Sequence, residues 1–62
     1  MEIKVDDLKN YAGLPVFVED MEEWHVIKSI TYTEHRVIVI CTDKYEESID
    51  RGAEHTGIFI SV

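Results

Sequence analysis

Apolar positions recur along this chain with the period of strands far more often than with that of helices. Over residues 14–19 (LPVFVE) they alternate, Val16 and Val18 pointing one way and Phe17 the other, as on a half-buried strand. Residues 23–33 (EWHVIKSITYT) are rich in aromatic and β-branched side chains and predict a long second strand. Trp24, Val26, Ile30 and Tyr32 share one parity there, but so does Lys28, while Ile27 breaks to the other. A bulge near 27–29 is the local device that gathers the apolar residues on one side. Glu34 and His35 form the next turn. Residues 36–42 (RVIVICT) are apolar on both parities, which predicts a central strand covered on both faces. The last strand is expected over 57–62 (GIFISV), with Ile58, Ile60 and Val62 on one side. These parities define an expected core of Leu14, Val16, Val18, Trp24, Val26, Ile30, Val37, Val39, Ile58 and Ile60.

Two segments follow other rules. Asp6 and Asp7 precede Leu8, Tyr11 and Ala12, which share a face at i, i+3, i+4 spacing, so residues 6–12 predict a short helix that either aspartate could cap. Gly13 stands where a C′ glycine ends such a helix, and Pro15 prevents its continuation. Segment 43–56 (DKYEESIDRGAEHT) supports two readings. Asp43 and Glu46 fit a capping box, with Tyr45 and Ile49 one turn apart. Alternatively Tyr45, Glu47 and Ile49 alternate with Glu46 and Ser48 as a short strand over 45–49. The strand is preferred, because four or five short strands in so short a chain favour a small closed or half-closed barrel, which also hides sheet edges.

The run Leu8, Tyr11, Gly13, Pro15, Val16 and Val18, then Trp24, Val26 and Ile27, then Val37 and Val39, resembles small SH3-like barrel proteins of the kind encoded by phages and prophages of Gram-positive bacteria. The resemblance covers residues 8–42. It implies a fold and an origin on a mobile element, and it implies no activity. The fold expected is therefore mainly β: a small SH3-like antiparallel barrel or half-barrel with a short N-terminal helical turn.

Length sharpens this picture. Sixty-two residues allow one domain, 1–62, with one thin core. The chain begins with Met1 and ends in an apolar run, which reads as a complete small gene product. A hydrophobic fraction of 45% argues against disorder. No apolar run approaches the ~20 residues of a membrane span, and no signal peptide is legible, so a cytoplasmic protein without membrane contact is expected.

Charge is the most informative feature. Six basic against thirteen acidic residues leave a net charge of −7. Phosphate backbones need Lys and Arg, so direct nucleic-acid binding is not expected. Residues 19–23 (EDMEE) carry −4 and residues 43–56 carry −3, so the rest of the chain is neutral. In an up-and-down meander the first and third connections emerge at the same end. Glu19, Asp20, Glu22, Glu23 and Asp43 are thus the candidate surface for a basic protein partner, joined by Glu46, Glu47, Asp50 and Glu54 only if 43–56 is not a strand. The ordinary alternative is that loop acids solubilise a small domain.

Chemistry is sparse. Neither a phosphate-cradling glycine loop nor a nucleophile elbow is present, and no metal-ligand spacing links His25, His35 and His55. His25 lies opposite in parity to Trp24 and is expected at the surface, His35 in a turn and His55 in a loop. Cys41, alone within VIVIC, excludes an internal disulfide and reads as a small buried hydrophobe. No catalytic residue, metal or cofactor is expected. Trp24 has two readings: a core residue, which its parity with Val26 and Ile30 favours, or an exposed aromatic beside acids that stacks on a ligand or peptide. The expected function is an acidic protein-interaction module, monomeric or weakly dimeric. The alternatives are a metal binder or small enzyme built from His25, His35 or His55 with loop carboxylates, and a structural subunit of a phage or regulatory complex.

Overall fold

The computed structural model describes residues 1–60. The chain is mainly β, with one short 3-10 helix at Val5–Tyr11 and strands β1 (Pro15–Val18), β2 (Glu23–Tyr32), β3 (Arg36–Cys41), β4 (Glu46–Asp50) and β5 (Ile58–Phe59). All pair antiparallel in one sheet of order β4-β3-β2-β1-β5. The sheet is open rather than closed. β4 is one edge; at the other, among the described residues, β5 is flanked by the N-terminal segment through a Glu2–Phe59 bridge and the Ile3 N–H and Ile60 N–H, which donate to the Ile58 and Met1 carbonyls at 2.8 and 3.0 Å. β5 pairs with β1 over two residues, too short a strand to complete a barrel. Val62, assigned to the last strand, lies outside the described residues.

The ambiguous segment resolves as preferred, since β4 is a strand. Tyr45 precedes it in a tight turn, where the Cys41 N–H donates to the Tyr45 carbonyl at 2.8 Å. The N-terminal helix forms with a period of three. Val5 and Leu8 are buried and Tyr11 half-buried on one face, whereas Ala12 is exposed. Lys4 occupies the N-cap with no side-chain hydrogen bond, so neither Asp6 nor Asp7 caps the helix; both lie in its first turn. Gly13 follows at φ +86°, a conformation that disfavours any side chain, and donates its N–H to the Ile27 carbonyl at 2.7 Å.

The bulge lies where expected: the β2–β3 register shifts between Ile27 and Ser29. Its effect is opposite to that anticipated. One extra residue inverts side-chain parity, so Ile30 and Tyr32 beyond the bulge share the inner face with His25 and Ile27 before it. Trp24 and Val26 are turned outward, 54% and 38% exposed. Cross-strand pairing enforces the same result, because Val16 faces His25 and Phe17 faces Trp24. Leu14 is exposed too: it precedes β1 in the turn after Gly13, its N–H bound to the Tyr11 carbonyl, while Leu8 fills the core. Ile30 and Ile60 are half-buried against the core rather than inside it. The core comprises Ile3, Val5, Leu8, Val16, Ile27, Val37, Val39, Cys41, Ile49 and Ile58. The helix lies on the inner face, anchored by the Tyr32 hydroxyl donating to the Val5 carbonyl at 2.8 Å. Phe17, Trp24, Val26, Ile38, Ile40 and Phe59 are therefore left on the outer face, half-buried or exposed, so β3, expected to be covered on both faces, is buried on its inner face and half-buried on the other.

Candidate functional site

Chemistry-bearing side chains gather at the end of the sheet where β1 turns into β2 and β3 into β4. Ile27 pairs with Cys41, and continuing that register by two residues sets Asp43 opposite His25. The contact is made: the His25 Nδ1 and Asp43 Oδ2 are 2.6 Å apart. Asp43 is positioned by its turn, where its Oδ1 accepts the Tyr45 N–H at 3.2 Å and Lys44 turns the chain at φ +72°. That backbone N–H, and then the His25 contact, hold the Asp43 carboxyl below the usual carboxylate range against the opposing effect of partial desolvation.

His25, expected at the surface, is 6% exposed. It is inward because Val16, its partner across β1, is inward. Tyr45 stacks on its ring at 4.6 Å between centroids, 19° from parallel. The Tyr45 hydroxyl donates to Glu47 Oε2 at 2.9 Å, and its pKa is pushed up to about 12, by desolvation first and then by Glu47. The other ring nitrogen of His25, Nε2, is buried without a hydrogen-bond partner, 3.6 Å from Glu23 Oε2. Cys41 completes the group: its Sγ, a His25 nitrogen and an Asp43 oxygen all lie within 4.8 Å of one another. Burial, and then Asp43 and Glu47, push its thiol up, so the isolated thiol is not an activated nucleophile.

The remaining histidines do not converge. His35 is exposed beside Glu34 at 3.8 Å, and His55, also exposed, places Nδ1 2.9 Å from Glu2 Oε1. A shallow groove between the helix and the connection after β4 mixes Lys4 and Arg51 with Asp6, Asp7 and Glu54, and none of the His25 group lines it.

Glu19, Asp20, Glu22, Glu23 and Asp43 are all exposed, and they sit at one end. Glu23 and Asp43 flank the same imidazole, and the charge of Asp20 reaches Tyr45. Glu46 and Glu47 lie on β4, Glu47 turned to the Tyr45 hydroxyl. Trp24 stands beside this acidic rim on the outer face, its ring edge-on to Phe17 at 5.5 Å, with Phe59 paired across from Phe17. Met21, at the hairpin tip among the acids, is 46% exposed. Sequence reasoning missed the contribution of Cys41 and Tyr45. The signal was the antiparallel register itself, once the bulge is set at residue 28. No family model, curated protein or solved structure matches this chain.

Proposed function

We propose that the protein is an interaction module that docks a cationic segment of a partner protein on its outer face at the acidic end. The observation that carries this reading is Trp24. A tryptophan 54% exposed in a 62-residue chain contributes little to the core it could have served. Its exposed ring beside Phe17 is a platform for apolar stems and planar cations, and Arg or Lys over an aromatic face gains about 0.5–2 kcal/mol. Four carboxylates within residues 19–23 supply the matching charge. Clustered like charges repel, so stability alone gives no reason to assemble them. Their field speeds the approach of a cationic partner and is screened over ~8–10 Å at physiological salt. The strand order β4-β3-β2-β1-β5 supports reading the open sheet as an SH3-like half-barrel. A net charge of −7 argues for a basic partner over a second copy of the chain.

Trp24 is the single tryptophan, so its emission reports the site directly. Titration with Lys/Arg-rich peptides is expected to shift that emission saturably, and more weakly as salt rises. Glu-rich peptides of equal length leave it unchanged. Replacing Glu19, Asp20 and Glu22 with their amides, which spares the two acids beside His25, slows association and flattens its salt dependence. Equal association in that triple variant reduces the acids to a solubility device and ends the proposal.

A further inference from the structure

The imidazole of His25 poses a problem of charge. Each of its nitrogens faces a carboxylate, Asp43 Oδ2 at 2.6 Å and Glu23 Oε2 at 3.6 Å. A neutral ring has one N–H for two acceptors. With the proton on Nδ1, a lone pair on Nε2 is left buried and unpartnered, facing an anion. The ring cannot rotate away, being 94% buried and stacked on Tyr45. A second ring proton or a metal cation between His25 and Asp43 removes the conflict, and the metal alone also makes use of the Cys41 thiol within 4.8 Å of both.

We propose that His25, Cys41 and Asp43 form a binding site for a divalent zinc ion, with Glu23 as the outer carboxylate that orients the ring. The donor set of one nitrogen, one sulfur and one carboxylate oxygen suits zinc, which takes such ligands at ~2.0–2.3 Å in tetrahedral geometry. Ligand atoms so arranged lie ~3.3–3.8 Å apart. The three donors now lie within 4.8 Å, so the site closes by side-chain shifts that draw Cys41 Sγ in and ease Asp43 Oδ2 back from its present 2.6 Å. Protons balance. Zinc takes the Nδ1 lone pair, the ring proton moves to Nε2, from which it can donate to Glu23 once the present 3.6 Å gap closes to hydrogen-bond length, and the Cys41 proton leaves to solvent. The resulting site is neutral, two negative ligands against two positive charges, and no buried nitrogen is left without a partner. An outer carboxylate on the second ring nitrogen is the usual companion of a metal-bound histidine. Three protein ligands leave the fourth position open. This inference shares Glu23 and Asp43 with the acidic end of the basic-partner reading but needs neither Trp24 nor Glu19, Asp20 and Glu22, so the two are tested separately.

The test uses the reduced 62-residue protein, with zinc and cobalt(II) as probes. Zinc is expected to bind one per chain and to raise the melting temperature, since a ligand of the native state must do so. Cobalt(II) is expected to produce a thiolate-to-metal charge-transfer band. Asp43→Asn keeps an oxygen for the Tyr45 N–H, so the turn survives, and it weakens zinc at least tenfold. Cys41→Ala abolishes the cobalt band. Circular dichroism of each variant without metal confirms folding, and Asp43→Asn, altered at an exposed position, keeps the test decisive if Cys41→Ala unfolds. Three results would overturn the proposal: a melting temperature unmoved by excess zinc, a cobalt spectrum lacking the thiolate band, or unchanged zinc affinity in Asp43→Asn. The last would show that Asp43 is not a ligand and that the metal sits elsewhere than in the assigned three-residue site.

Discussion

Val26 and Ile27 are adjacent in β2 and so point to opposite faces; pairing with β1 sets Val26 outward and Ile27 in the core, 38% and 0% exposed. Replacing each by threonine should therefore have opposite consequences. At Ile27 the change removes a methylene equivalent, about 0.8 kcal/mol. It also buries a hydroxyl in the apolar core that holds Leu8, Val16 and Val39, at about 1–3 kcal/mol. The expected loss is about 2–4 kcal/mol. A domain of this length has roughly 3–9 kcal/mol in total, so much of its stability goes. At Val26 the same threonine is nearly isosteric, faces water, and suits a strand, so the change should stay within about 0.5 kcal/mol. Thermal melts followed by circular dichroism separate the two cases. At about 4–8 °C per kcal/mol for domains of this size, Ile27→Thr lowers the midpoint by at least about 8 °C and Val26→Thr by less than about 4 °C. Equal losses, or a larger loss at Val26, would refute the parity inversion and return Trp24 to the core.

Three further outcomes are expected. Glu22 at φ +53° and Lys44 at φ +72° hold a conformation that costs non-glycine residues about 1 kcal/mol, so Glu22→Gly and Lys44→Gly should each raise stability by up to about that amount in urea titrations. The Glu2–His55 pair should be pH-dependent: the Glu2 carboxyl is lowered from 4.5, chiefly by His55, and the His55 ring is raised above 6.5, chiefly by Glu2. Its contribution is thus fullest between those two values, lost as pH rises through the raised His55 value and as pH falls through the lowered Glu2 value; by NMR the His55 midpoint should fall toward 6.5 in Glu2→Gln. Ultraviolet titration should show a tyrosine that ionises only near pH 12, and Tyr45→Phe should remove that transition.

Much of this protein is legible in local pattern. The alternation in LPVFV, the two-sided apolar run RVIVIC, the punctuation by Gly13 and Pro15, and the need for an irregularity near residue 28 all follow from the fixed period of a strand and from backbone sterics. The charge segregation is composition alone, and the meander already implies that the first and third connections share an end. Which side of β2 is inside was not legible, because a bulge says that parity inverts but not which half is buried. That was decided by pairing with β1, where Val16 carries His25 inward and Phe17 carries Trp24 outward. The helix likewise took a period of three because Val5, Leu8 and Tyr11 had one sheet face to cover. The His25 group belongs wholly to tertiary structure. Its members come from β2, the end of β3 and the turn beyond, eighteen residues apart between His25 and Asp43, and only the register of two antiparallel strands sets them side by side.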